Sequence, residues 1–505
     1  MTRSALLGLD LGTSSVKAIV LGLDGRILGE GVATYDDARP HPGWSEQDPE
    51  AWWRGSCDAV RMAREAATRD GGAVDVLAIG LSGQMHTLVL VDAALRPIRP
   101  AITWMDTRGE PWLERVRSAI SAEGLDAELA NPAVLGPTLL PLLWLHEHEP
   151  GVLERASTLL LAKDALRSRL TGEAASEPTD ASATLLFDVP ARAWSLRTAR
   201  RFGLPEALFP TLGRSADAAG PLRPSAAADL GLPPGIPVAF GAGDQQAAAV
   251  GMGTLGVGDA QLMVGTGAQA LAVRADASAD PAGRLHTFCH VDGFVQQASV
   301  NNAGAALDWV RRLLGLSWAQ LYAAPLDAPG APAFVPFLTG ERTPLMKGHA
   351  RGAWLGLGTA ADASTLAGAA VAGVVTSIGD AIDALRSQGA LGAVIRASGG
   401  GMREPTFAQA VADAMEAPVE VVERGAASAV GAALLGGVAA GLFADPAEAS
   451  AVVERGAAVR YDPDPAAADA WRAQRAWRRE LDALGLHEHV ARRPGVRPQD
   501  HGVTH

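Results

Sequence analysis

One pattern occurs twice in this chain and restricts what it can fold into. Residues Ala5–Asp10 are apolar up to a terminal carboxylate, Gly12-Thr13-Ser14-Ser15 is small and polar, and Val16–Leu21 is apolar again. This reads as a strand, a tight turn and a second strand, with a third strand over Arg26–Thr34 after an Asp24-Gly25 turn. Much later, Gln261–Val264 runs into Gly265-Thr266-Gly267, and Ala270–Arg274 resumes as a strand. The echo suggests internal duplication of one α/β unit, with a chance match of short segments as the alternative. Val76–Ser82, His86–Val91, Val238–Ala242 and Ala393–Ala397 read as further strands. Asp48-Pro49 opens a helix carrying Trp53, Cys57 and Val60, and Val371, Val374, Ile378, Ile382 and Leu385 mark a longer one. Residues 110 to about 200 are mainly helical, with strands that local pattern does not place.

With 505 residues, 48% hydrophobic and 20% charged, the chain has material for two large or three ordinary domains and is not disordered. A net charge of −13 argues against nucleic acid or an anionic membrane as partner. Cys57 and Cys289, far apart and in no CxxC pattern, point to a reducing cytoplasm rather than a disulfide framework. Asp10 interrupts the N-terminal apolar run before a signal-peptide core can form. The charge-free run Ala363–Gly379 is short for a membrane span and reads as a buried helix. Residues 486–505 look like a frayed tail.

Five stretches could carry chemistry. In Gly8-Leu9-Asp10-Leu11-Gly12-Thr13-Ser14-Ser15 a carboxylate ends a buried strand before a turn rich in amides and hydroxyls, which suits Mg²⁺ and phosphate oxygens; an ordinary hairpin is the alternative. In Gly241-Ala242-Gly243-Asp244-Gln245-Gln246 a carboxylate sits on a glycine-lined strand-to-helix turn, where it could take a proton from a hydroxyl or merely cap the helix. Gly265-Thr266-Gly267 and Ser398-Gly399-Gly400-Gly401 could admit a nucleotide against bare backbone. Gln84-Met85-His86 could read a polyol, or His86 could simply be satisfied at a strand crossing. No GxxxxGK[ST] P-loop is present. Gly251–Gly256 matches GxGxxG but follows an alanine-rich helical run rather than a strand. His146 and His148 read as surface residues, and His286, Cys289 and His290 lack the second ligand cluster of a zinc site.

Taken in order, these segments resemble the FGGY carbohydrate kinase family, most closely its xylulose-phosphorylating members. The resemblance runs from about Leu6 to about Gly437. It is carried by GLDLGTSSVKAIV at 8–20, HPGWSEQDPEAWW at 41–53, SGQMHTLVLVD at 82–92, WMDTR at 104–108, GAGDQQAA at 241–248, LTGERTP at 338–344 and SGGGMREPTFAQAVADAM at 398–415. It implies an α/β fold of two actin-like, ribonuclease H-type domains around a central cleft. Residues 1–243 would form a sugar-binding domain and 244–485 a nucleotide-binding domain. It implies ATP with Mg²⁺ as donor and a small sugar as acceptor, with D-xylulose expected. A ribulose, pentitol or glycerol kinase is the alternative within the family. A non-catalytic sugar sensor is the alternative outside it, disfavoured by the paired Asp10 and Asp244.

By the same resemblance Asp244 is the catalytic base, and Asp10 is the acid beside Mg²⁺. Gln84, Met85, His86, Asp244 and Gln245 contact the sugar. Gly12, Thr13, Ser14, Gly265, Thr266, Gly304, Asp308, Gly400 and Gly401 lie on the nucleotide. Two features depart from the xylulose-kinase pattern: Gln245-Gln246 follows the glycerol-kinase form, and Glu404 stands where glycerol kinases carry Asn. Conversely, the Arg-Glu pair that holds glycerol is replaced by Met85-His86. A homodimer is compatible by family analogy only.

Overall fold

The computed structural model describes residues 2–69, 72–326, 331–422, 426–453 and 458–483. The expected tail at 486–505 lies outside the described residues. Two sheets organise the chain. The first runs in the order Ala218–Pro221, Pro237–Ala239, Val74–Gly83, Arg3–Leu11, Ser15–Gly22, Ile27–Thr34, with Ala242–Gly243 paired to Val74–Gly83. The second runs His286–Cys289, Phe294–Val300, Ala268–Arg274, Ala260–Val264, Ile395–Ser398, Val419–Val421, Val459–Tyr461.

The two sheets repeat one pairing scheme. Arg3–Leu11 is antiparallel to Ser15–Gly22 and parallel to Val74–Gly83. Likewise Ala260–Val264 is antiparallel to Ala268–Arg274 and parallel to Ile395–Ser398. Beyond each parallel neighbour lie another parallel strand and then an antiparallel edge strand. The central strands are covered on both faces, so they read as continuous apolar runs: Leu6, Leu7, Leu9 and Leu11 are all fully buried.

Helices join the sheets. Asp244–Met252 follows the first sheet and Ala427–Ala439 follows the second, yet Ala427–Ala439 packs on the first sheet and against Asp244–Met252. Their crossing is made of small residues. A Cβ on Gly431 would collide with the Ala247 carbonyl oxygen, and one on Gly251 with that of Ala427. On the sheet side, a Cβ on Gly8 or Gly80 would collide with the carbonyl oxygens of Ala429 or Ala432. Backbone therefore lies directly on backbone here, an approach only glycine permits.

Between strands of the first sheet the chain inserts a smaller layer. Its four-stranded sheet runs Glu46–Gln47, Ala101–Ile102, Leu88–Val91, Thr158–Leu161, flanked by helices Leu113–Glu123 and Leu139–His148. Thr158–Leu161, in the stretch where local pattern placed no strand, is a run of four residues paired far from its own place in the chain, which leaves no periodic signal. The same layer corrects the expected strand over 86–91: it starts at Leu88, and His86 has φ +69°, outside any strand. The inserted layer also grips the second sheet. Asn131 Nδ2 donates to the Thr287 carbonyl at 2.7 Å, and the Cys289 amide donates to Ser182 Oγ at 3.0 Å. Among the described residues, one helix, Ala363–Arg386, is long and apolar enough to cross a membrane; 89% of its most apolar stretch is buried inside the protein.

Gly80→Ala should destabilise the protein by on the order of 3 kcal/mol or prevent folding, since neither backbone can retreat. Gly151→Ala, at a helical glycine with nothing near its missing Cβ, should be neutral or slightly stabilising. Paired denaturation curves check this.

Candidate active site

The strand Val74–Gly83 positions the two acids expected from the sequence. On one side its Ser82 pairs with Asp10, and on the other with Ala242, two residues before Asp244. Both acids therefore sit at the carboxyl ends of parallel strands that flank Val74–Gly83, where crevices form in open α/β sheets. Ser82 Oγ donates to Asp10 Oδ1 at 2.9 Å. Asp244 is the first residue of its helix rather than its cap: the N-cap is Gly243, and Asp244 Oδ1 accepts from the Gln245 amide at 2.8 Å. Behind it, the Gly243 amide donates to Thr179 Oγ1 at 2.9 Å, and Thr179 Oγ1 donates to Glu177 Oε1 at 2.8 Å. These bonds tie the strand end to a fully buried charge cluster in which Lys163 Nζ lies 2.7 Å from Asp164 and 3.4 Å from Glu177.

The two carboxyls feel each other. Burial is the main force raising Asp244, and the negative charge of Asp10 adds to it, bringing the group up to about 7. Asp10 is also raised by burial, opposed by the Ser82 hydrogen bond and the charge of Lys17. A site with two mutually repelling, half-buried acids is primed to accept a cation or a proton.

After Asp10 the turn is held from outside. The Gly12 amide donates to the Ser15 carbonyl at 3.0 Å, and Tyr35 Oη donates to the Gly12 carbonyl. Gln47 Nε2 donates to the Thr13 carbonyl at 2.6 Å, and Trp104 Nε1 donates to Thr13 Oγ1 at 3.1 Å. Because Trp104 occupies an acceptor position, the Thr13 hydroxyl hydrogen is left to donate elsewhere. Ser14 is exposed at the tip of this turn. Gln84 lies beneath it, 2% exposed, donating through Nε2 to Gln47 Oε1 at 2.9 Å. Gln47, Trp104 and Ser82 had no role in the local reading, although all three fall within the resembling segments. What identifies them is contact across 34 to 91 residues of chain, which no local pattern shows.

Of the two glycine turns of the second sheet, Ser398–Gly400 shares a cavity with Asp10, and Gly265–Gly267 does not line it. A cavity of about 310 Å³ is lined by Asp10, Met263, Ser398, Gly399, Gly400, Arg403, Val421 and Ser428, among others. Gly399 has φ +100° and Gly400 presents open backbone. Gly401 packs toward the Val264 side chain. Gly265 closes its turn by donating to the Gly267 carbonyl at 2.8 Å. The amides of Gly304 and Ala305 donate to the Gly265 and Thr266 carbonyls at 3.0 and 2.9 Å, so Gly304 is a contact of the turn. Asp308 lines none of this cavity; its carboxylate pairs with Arg311 at 2.7 Å and Arg312 at 3.0 Å.

His86 follows Met85, whose side chain lies against Gly243, and its Nδ1 lies 2.6 Å from the Ala183 carbonyl, which can only accept. Nδ1 therefore carries the proton. Burial pushes the ring down to about 4, so His86 is neutral and presents Nε2 as an acceptor. Met85 is 6% exposed and packs with Phe288, Leu271 and Val295 of the second sheet. Gln245 is half-buried beside Asp244. No group of three or more metal-ligating side chains occurs among the described residues.

Asp244 binds its proton more tightly folded than unfolded, so the protein loses stability as pH rises from about 4 to about 7. Asp244→Asn removes that loss. The variant should melt above the wild type near pH 8, by roughly 1–4 kcal/mol in stability, and the difference should vanish near pH 4. Thermal melts across pH give the comparison.

The chain matches the FGGY family of carbohydrate kinases twice: its N-terminal domain over residues 5–251 and its C-terminal domain over residues 260–440. It is 36% identical to the xylulose kinase of Klebsiella pneumoniae over 418 residues, 81% of this chain and 84% of that one. It is 34% identical to the glycerol kinase of Thermus brockianus over 455 residues, 86% of this chain and 90% of that one. The crystal structure of a xyloylose kinase from Brucella ovis superposes with a TM-score of 0.88 at 35% identity, covering 95% of this chain and 99% of that one. Two sheets of one repeated scheme, with two acids beside one strand end of the first, together with these matches, establish that the chain belongs to the FGGY family of carbohydrate kinases.

Proposed function

We propose that this protein transfers the γ-phosphoryl group of ATP to the terminal 5-hydroxyl of D-xylulose, acting in the cytoplasm. The observation that carries the reaction class is the placement of Asp10 and Asp244 on either side of one strand end, with Asp244 raised to about 7. A base poised near the working pH is best matched to a proton that leaves during attack. Similarity to xylulose kinases over most of the chain, with Met85-His86 in place of the glycerol-binding Arg-Glu pair, carries the substrate.

In this reading the first domain holds the sugar and the second holds the nucleotide. Asp244 aligns the 5-hydroxyl and takes its proton as that oxygen bonds to the γ-phosphorus and the bond to ADP breaks. The amides of Thr13 and Ser14 and the Thr13 hydroxyl face the phosphates, and Gly265, Thr266, Gly400 and Gly401 admit the nucleotide against backbone. His86 accepts a hydrogen bond from a sugar hydroxyl through Nε2, while Met85 backs the pocket. One raised carboxylate beside a roomy cavity suits a Mg²⁺ that takes its remaining ligands from phosphates and water, with Asp10 as the protein's contribution. When bound, that ion would neutralise phosphate charge. Closure over the crevice would exclude water. The glycerol-kinase-like Gln245-Gln246 leaves glycerol and pentitols as the second reading.

The test is a side-by-side kcat/KM comparison of D-xylulose, D-ribulose, L-ribulose, D-arabinitol and glycerol. D-xylulose should rank first; glycerol or a pentitol ahead of it sinks the substrate assignment but not the kinase. Asp244→Asn should lower kcat by roughly 10²–10⁴ with little change in sugar binding. Trp104→Phe frees Thr13 Oγ1 from its donor and should raise the KM for ATP by ~2–10-fold while leaving the sugar KM alone.

A further inference from the structure

Three polar side chains of the second sheet and its neighbouring loop stand at the sugar end of the crevice with no part in the reading above: His286, Gln297 and Arg342. His286 and Gln297 are cross-strand partners. They are joined to His86 through an aromatic step. The His86 ring centre lies 6.3 Å from that of Phe288, and Phe288 stacks on His286 at 5.7 Å with planes 5° apart. His286 Nδ1 is 3.2 Å from Asn131 Oδ1, an acceptor, so Nδ1 carries the hydrogen and Nε2 is another acceptor. The amide assignment that makes Oδ1 face His286 is supported by Asn131 Nδ2 donating to two carbonyls, those of Leu129 and Thr287.

Arg342 is built into this group rather than loosely attached. On one side of it, the Glu341 carboxylate accepts from the Asn301 amide at 2.7 Å and from the Arg342 amide at 2.8 Å. On the other, the Thr343 amide donates to the Ser299 carbonyl at 2.9 Å, and Thr343 Oγ1 donates to the Arg284 carbonyl at 2.7 Å. These bonds pin residues 341 and 343 to the strands that carry Gln297 and lead into His286. The guanidinium is half-buried and feels the charge of Glu341, yet it makes no hydrogen bond or ion pair with any side chain or carbonyl among the described residues. Several other buried arginines are engaged: Arg108 with Asp106 and Glu46, Arg167 with Asp164, and Arg274 with Gln296 and two carbonyls. Its charge is felt by His86 and His286, lowering both, and it lines none of the cavity that holds Asp10 and Gly400. Arg342 therefore belongs to the sugar end and not to the phosphate end.

A cation desolvated this far without a partner is costly unless a ligand supplies acceptors. The two histidines beside it offer only acceptors, so the group can satisfy hydroxyl hydrogens but lacks a donor apart from Arg342. A ketose needs both. Its hydroxyls can donate, while its carbonyl oxygen can only accept. With the phosphorylated hydroxyl at Asp244, the carbonyl lies at the opposite end of the molecule. We infer that Arg342, presented by the second domain, donates hydrogen bonds to the carbonyl end of the sugar and is a specificity-determining residue of the acceptor site. This deepens the proposed function and rests on His86 marking the sugar pocket.

The test compares wild type, Arg342→Met and Arg342→Lys in steady-state kinetics, varying sugar and ATP separately. Loss of a charged donor should raise the sugar KM by ~10–100-fold in Arg342→Met, with the ATP KM within about twofold of wild type, and Lys should recover part of the loss. An unchanged sugar KM, or an ATP KM that rises in step with it, overturns the inference. The second outcome would place Arg342 on the phosphates. Melting temperatures of all three proteins are compared first; if Arg342→Met does not fold, Arg342→Lys and Arg342→Gln carry the same comparison. The wild-type arm separates the two claims: if wild type ignores D-xylulose, the substrate assignment fails, and the Arg342 comparison is made with whichever ketose of the panel it does phosphorylate.

Discussion

Backbone lies on backbone where the helices Asp244–Met252 and Ala427–Ala439 cross each other and the first sheet, and the rest of the architecture hangs on that contact. Gly8, Gly80, Gly251 and Gly431 each meet a carbonyl oxygen where a side chain would otherwise stand. The helix that follows the second sheet is thereby locked onto the first. Since Asp244 begins one of these helices and Asp10 ends a strand beneath the other, the crossing also sets how the two acids face the crevice. Dispersion and burial over such a close contact offset the entropy glycine loses on folding.

A second constraint acts at the opposite side of the crevice. Asn131, Ser182 and Arg192 of the inserted layer bond to backbone groups at 287, 289, 290 and 293 of the second sheet. Contact at both ends leaves the crevice bounded by rigid elements. The open side is the one lined by the bare backbone of Gly400. In the proposed reading the nucleotide enters there, against backbone amides rather than side chains.

In the proposed reading the electrostatics divide along the same axis. At the phosphate end, the site offers amides, the Thr13 hydroxyl and a carboxylate raised by burial, an arrangement that gains most from a cation and its phosphate ligands. At the sugar end it offers neutral histidines and a guanidinium that makes no hydrogen bond among the described residues. Asp244 lies between, its proton affinity set by burial first and by Asp10 second. Phosphoryl transfer asks the protein mainly for alignment and charge placement, and this division supplies both.

Much of the frame is legible in the residues themselves. Continuous apolar runs ending in Asp10-x-Gly-Thr and the glycine turns at 265–267 and 399–401 mark buried parallel strands and the sharp turns after them, because burial on both faces and close backbone approach leave few residue choices. The apolar run at 363–379 likewise announced a buried helix. Tertiary structure alone decided the rest. It gave His86 its left-handed backbone and a carbonyl partner 97 residues away, which fix its tautomer. It turned Gln84 into a brace under the Thr13 turn, gave Thr13 the donor Trp104, and brought the charge of Arg342 to bear on two histidines. Periodicity and turn chemistry are local properties that a sequence displays directly. Proton affinity, tautomer and hydrogen-bond direction depend on which distant groups share a desolvated space, and only the folded chain brings those groups together.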